Sequence, residues 1–251
     1  EIHLRHFAFA FGLHHAGKTT LTEAILFHCG AIPRRGSVAD GTTTTDFEPE
    51  CIGHAQSTCV GFAHAACGDV ELLLIDAPGF VDFLEETKIA LLAADAAVVV
   101  VDADPGRIPQ TRGLVDFLEA RKIPHMFFVN KMDRPGAAAA ATLQALVDAY
   151  GIHVVAEQVP VGEGEGFSAV VDIVRDDASS DAIAAAREKL LEALGDFDDH
   201  LLEELLEGIA PPLDEVRRDL HDEYVRDQIV TVLFGSAARG IGVAELIDAI
   251  V

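Results

Sequence analysis

The sequence predicts an α/β fold: a mostly parallel sheet with helices on both faces, plus a small α+β subdomain inserted before the last strand. Three observations carry this. Short apolar runs suited to buried strands alternate with stretches of helical period along the 251 residues. Four short polar motifs each follow such a run, where open sheets hold ligands beyond the carboxyl ends of their strands. Gly162, Gly164 and Gly166 then mark an exit into a strongly acidic stretch running from Glu157 to Asp227.

The elements follow in order. An apolar strand over 4–11 leads through a glycine-bounded loop into a helix over 18–28. A long polar loop with Gly36, Gly41 and a run of threonines fills 30–56. Strands over 58–66 and 70–76 form a hairpin turned at Cys67-Gly68-Asp69. A helix over 82–94 offers Leu84, Ala90 and Leu91 to one face, and Val98–Val101 is a fully buried strand. A helix over 110–121 and a strand over 124–130 come next. The alanine-rich helix 137–150 stops at Gly151, and a strand over 152–159 closes that part of the sheet. The inserted part carries a strand over 168–174 and helices over 181–194, 198–207 and 212–223, with Asp198 an N-cap for the second helix. The chain returns through a strand over 229–234 and a helix over 242–250.

The chemistry sits in the motifs. Gly12-Leu13-His14-His15-Ala16-Gly17-Lys18-Thr19 fits G-x-x-x-x-G-K-[ST], the phosphate-binding loop. Its glycines let backbone N–H groups turn inward at a helix N-terminus, where the dipole also favours anions. This assigns Gly12, His14, His15, Ala16, Gly17, Lys18, Thr19 and Thr20 to the phosphates, with Thr19 also a Mg²⁺ ligand. Asp76-Ala77-Pro78-Gly79 follows an apolar strand. Asp76 would hold Mg²⁺ through water, and the Gly79 N–H would approach a terminal phosphate. Asn130-Lys131-Met132-Asp133 follows another strand. The Asp133 carboxylate can accept from two adjacent N–H groups, which guanine offers and adenine does not. Asn130 would brace the loops, and the Lys131 stem would cover the base. Ser236-Ala237 would offer backbone N–H to the guanine carbonyl oxygen. The implied ligands are GTP or GDP with Mg²⁺.

With these motifs in place, the chain resembles the GTP-binding domain of translational GTPases, nearest to elongation factor G and its paralogues. Further carriers are Gly36–Thr43, Asp102–Gly106, Pro109–Arg112, Val161–Phe167 with Val170-Val171-Asp172, and Gly242-Val243. The resemblance implies a three-layer P-loop GTPase fold over 1–158 and 228–251, with residues 159–227 as an inserted subdomain. It implies a cytoplasmic GTPase acting on the ribosome, with the insert meeting the ribosomal stalk protein. It also implies catalytic roles for Lys18, for Gly79 and for the position after it. The sequence departs from the family there: Phe80 stands where a water-orienting His is usual, and a phenyl ring neither donates nor accepts. The end of the first switch departs too. His54-Ala55-Gln56-Ser57-Thr58 replaces a conventional stretch, leaving Ser57 as the Mg²⁺-binding hydroxyl and Thr58 as a substitute. Two readings therefore stand: a partner-activated GTPase, and a slow or non-hydrolysing module whose nucleotide occupancy is the signal. A third, weaker reading is a relative of peptide release or ribosome-protection factors.

Composition adds bounds. A formal net charge of −24 opposes broad electrostatic binding to nucleic acid. The acidic insert reads equally as a dock for a basic partner or as a solvated surface. No apolar run reaches the length that spans a membrane. The chain reads as the nucleotide domain of a longer factor, with a free-standing small GTPase as the alternative. Cys29, Cys51, Cys59 and Cys67 suggest no disulfide framework, and thiols are expected to stay reduced. The cluster Cys51, His54, Cys59, His64 and Cys67 fits no closed zinc pattern.

Overall fold

The computed structural model describes residues 3–9 as backbone, and 16–46, 51, 59–79, 84–151, 153–175 and 180–251. The strands of the main sheet are β1 (His3–Phe9), β2 (Gly61–Cys67), β3 (Val70–Asp76), β4 (Ala96–Asp102), β5 (His125–Asn130), β6 (Val154–Ala156) and β9 (Val230–Phe234). Their order across the sheet is β2-β3-β1-β4-β5-β9-β6. Every neighbour pair is parallel except the β2–β3 hairpin. Around the sheet lie α1 (Lys18–His28), α2 (Leu84–Leu91), α3 (Arg112–Arg121), α4 (Ala139–Tyr150) and α8 (Val243–Ile250).

The period of two along the central strands builds the layers. Val99, Val101, Phe127 and Val129 point to one face and pack with Leu91, Val115, Leu118 and Leu146 from α2, α3 and α4. Val98, Val100, Met126 and Phe128 point to the other, against Leu21 and Ile25 of α1 and Leu246 and Ile250 of α8. Burial on both faces explains why β4 and β5 read as continuous apolar runs.

The second unit starts earlier than periodicity suggests. The expected strand 152–159 is two strands, β6 and β7 (Gln158–Val161), divided at Glu157. The Glu157 N–H still bonds Val232 in the main sheet, while its carbonyl accepts from Ile173. From there β7 pairs antiparallel with β8 (Ala169–Asp172) in a separate two-stranded sheet. Helices α5 (Asp181–Gly195), α6 (Asp199–Glu207) and α7 (Leu213–Val225) follow. Their core joins Leu190, Leu194, Leu201, Val216 and Leu220 to Ile173 and Ile229. Asp198 caps α6 by accepting from the His200 and Leu201 amides. A 3-10 turn over Pro105–Thr111 precedes α3, which therefore starts later than expected. Pro109 lacks the N–H that an α-helix begun at Pro105 would direct to the Pro105 carbonyl, which leaves this segment a 3-10 turn.

One expectation about the cysteines is overturned. Cys29, at the end of α1, is bonded to Cys67, at the end of β2, with their Cα atoms 5.1 Å apart. The expected reduced thiols overlooked that α1 packs beside the hairpin and brings two distant cysteines into bonding range. Cys51 and Cys59 remain thiols.

Candidate functional site

Strand register gathers the motifs at one end of the sheet. Asp76 pairs with Phe9, the last residue of β1, and Asp102 pairs with Asn130. Phe234 pairs with Val129, so the Ser236-Ala237 loop leaves beside the Asn130 loop. This end lies at the reversal of strand order around β1, the usual crevice of such sheets.

Asn130 joins three loops. Its Nδ2 donates to the Ala16 carbonyl at 2.8 Å, and its Oδ1 accepts from the Ala237 N–H at 2.9 Å. Gly17 precedes α1 with φ 89°, and a Cβ there would lie 2.5 Å from Asn130 Nδ2. Both the left-handed backbone and the close approach require glycine. Lys131, itself at φ 63°, is held by Asp102, with Nζ 2.9 Å from Oδ1. Arg107 pairs with the other Asp102 oxygen. Asp133 is half-buried in the turn after β5. The amides of Ser236 and Ala237 are both engaged within the protein, with the Ile241 carbonyl and with Asn130. The two residues expected to offer N–H groups to a base thus stand beside Asn130, at the same end of the sheet as Gly17 and Lys18.

The phosphate side is buried and charged. Lys18 is almost fully buried, and its pKa is lowered by that burial, against the opposing pull of Asp76 and Asp46. Asp76 is raised to about 6, chiefly by burial, although Lys18 pulls it down. Desolvation outweighs attraction on both partners, so each still favours an added counter-charge. An anion would serve Lys18 and a cation would serve Asp76. The Asp76 Oδ2 accepts from the Thr45 hydroxyl at 2.8 Å, and Thr19 donates to Asp46 at 3.2 Å. Asp76 Oδ1 is buried with no hydrogen-bond partner among the described residues. An orphaned carboxylate oxygen beside the Thr19 hydroxyl fits Mg²⁺, which takes oxygen ligands. Gly79 is buried, and the Pro78 carbonyl before it accepts from Thr87 of α2 at 3.0 Å. Gly12, His14, His15, Ser57, Thr58 and Phe80 lie outside the described residues.

The loop over 30–46 is fastened across this end by residues the motif reading missed. Glu23, one helical turn after Thr19 on α1, accepts from the Gly36 and Thr44 amides. Gly36 lies so close that a Cβ would meet the Thr42 carbonyl oxygen at 2.3 Å. Arg35 donates to the Ala237 carbonyl at 2.9 Å. The available signal was Glu23 itself, an acid within an otherwise apolar helical run.

Comparison with known proteins shows the family and the fold. The family model of the elongation factor Tu GTP binding domain matches residues 4–251. The chain belongs to the translational GTPases. It is 36% identical to an elongation factor G-like protein of Synechocystis, over 96% of this chain and 38% of that one. It is 33% identical to elongation factor G 1 of Treponema denticola, over 94% of this chain and 38% of that one. A crystal structure of a Thermus thermophilus protein superposes with a TM-score of 0.89 at 32% identity, covering all of this chain and 40% of that one. The chain thus corresponds to the elongation-factor-G-like GTP-binding domain and spans about two fifths of the length of these relatives. Among the described residues, no helix is long and apolar enough to cross a membrane.

Proposed function

We propose that this translational GTPase domain binds GTP and GDP with Mg²⁺, and that the difference between the two is read by a translation factor on the ribosome. The Asn130 brace is the observation that carries the reading. It fixes the Ala16–Lys18 loop, the Asp133 turn and the Ser236–Ala238 loop at one crevice, which is what holding phosphates and a base together requires. Lys18 and the loop amides hold the phosphates. Thr19, Asp76 and Ser57 hold Mg²⁺, which neutralises charge on the phosphate oxygens. Asp133 selects guanine, and Lys131, steadied by Asp102, covers the base. The Ser236-Ala237 loop offers backbone N–H to the base carbonyl oxygen, and the exposed Ala238 follows it along the same loop.

Base choice is tested by Asp133→Asn. Its amide sets N–H against guanine N–H, an unsatisfied contact that costs about 1–3 kcal/mol. Guanine nucleotide affinity falls tens-fold or more in calorimetry, and xanthine nucleotides gain relative to it. Equal affinity of the unaltered protein for ATP and GTP would refute the assignment.

Hydrolysis is slow by itself, because Phe80 cannot orient a water by hydrogen bonding. Lys18 and Gly79 still position and stabilise the transferring phosphate, which is most of what this chemistry needs. Single-turnover GTP cleavage by the full-length factor on ribosomes tests this. Phe80→His raises the stimulated rate. A wild-type rate typical of translation factors, unchanged by His, would show another group positioning the water. The second reading, a non-hydrolysing occupancy signal, rests on Phe80 and predicts no cleavage with or without ribosomes.

Residues 159–227 form the inserted subdomain in this reading. Its acidic helices supply the face for a ribosomal stalk partner, and the site of action is the cytoplasm.

A further inference from the structure

A second cluster of ligating side chains lies far from the nucleotide crevice, where α6 meets α7. His200 and Glu204 are one helical turn apart on α6 and so share a face. Glu215, in the first turn of α7, meets them. One ligand atom from each of the three falls within 4.8 Å of the others. Three donors at about 2.2 Å from one metal are mutually at most about 3.8 Å apart, so each donor moves inward by about half an ångström to close the set.

The surroundings favour a cation. Glu204 Oε2 is shielded from solvent and has no hydrogen-bond partner among the described residues. Asp219 Oδ2, one turn along α7 from Glu215, is in the same condition. Arg217, nearby on α7, is paired with Asp214. The carboxylates at this crossing therefore outnumber the cations that answer them. A buried carboxylate oxygen without a donor costs free energy that a metal ion would recover.

We propose that His200, Glu204 and Glu215 bind a divalent first-row transition cation that staples α6 to α7. One imidazole and two carboxylates suit such a metal better than Mg²⁺ or Ca²⁺, which take oxygen alone, and leave positions for water. The site is separate from the nucleotide and independent of how fast GTP is cleaved. It fixes two helices of the acidic surface relative to each other.

The test is Co²⁺ titration of the whole chain saturated with Mg²⁺ and GDP, followed by calorimetry and visible absorption. One equivalent binds without the near-ultraviolet thiolate-to-cobalt band that Cys51 or Cys59 would give. His200→Ala and Glu215→Gln each weaken binding at least ten-fold and leave GDP affinity unchanged. Circular dichroism checks that both variants fold. Co²⁺ also raises the melting temperature of the wild type and not of His200→Ala. No Co²⁺ binding, a thiolate band, or binding undiminished in both variants would overturn the proposal.

Discussion

The Asn130 side chain donates to the Ala16 carbonyl at 2.8 Å across 114 positions of sequence. The same amide accepts from Ala237, so one side chain sets the spacing of three loops. Glycine at position 17 is what lets the amide approach so closely.

Asn130→Ala removes both bonds and leaves a buried carbonyl and a buried N–H unpaired, at about 1–3 kcal/mol each. GDP affinity measured by calorimetry falls at least ten-fold. Asn130→Asp keeps the acceptor for Ala237 but sets a buried carboxylate against the Ala16 carbonyl, so its loss is at least as large. Unchanged affinity in Asn130→Ala would show that the loops hold their spacing without it.

Glu23 fastens the loop over 30–46 through the Gly36 and Thr44 amides. In Glu23→Gln one of the two acceptor oxygens becomes an N–H donor facing a backbone N–H. Hydrogen exchange at Gly36 and Thr44 speeds up by ten-fold or more, consistent with losing a charged hydrogen bond worth about 1.5–3 kcal/mol. Equal protection in the variant would mean that Arg35 and the Gly36–Thr42 contact hold the loop by themselves.

Glu157, where the chain leaves the main sheet, is raised to about 7 by burial and then by Asp172, with Arg175 pulling it down. The folded protein thus holds this proton more tightly than the unfolded chain. Its stabilising effect is complete below about pH 4.5 and is lost as pH rises through 7. Relative to Glu157→Gln, the wild type loses up to about 3 kcal/mol between these limits, since each pH interval of one between them removes about 1.4 kcal/mol. Urea denaturation of both proteins from about pH 4 to about pH 8 measures it. A stability difference flat with pH would show that Glu157 stays ionised in the fold.

The order of strands and helices along the chain, and the end of the sheet where the motifs gather, were legible in the sequence. Val98–Val101 had to be a two-faced buried strand because no polar face interrupts it. The spacing of Gly17, Lys18 and Thr19 demands a turn into a helix start. Gly151 ends α4 with φ 106°, as a residue without Cβ can. These are local requirements of backbone and burial, written residue by residue.

Only the tertiary structure decided which distant groups meet. The Glu23 clamp on Gly36 and Thr44, the Thr45 hydroxyl on Asp76, and Lys131 on Asp102 join segments whose separation carries no periodic signal. It also split the expected strand at Glu157, since two backbone partners compete there and each takes one of its polar groups. It bonded Cys29 to Cys67 by packing α1 beside the β2–β3 hairpin. Local sequence sets what each segment can become. Long-range hydrogen bonds and packing set what each side chain touches, because those depend on where all the other segments come to rest.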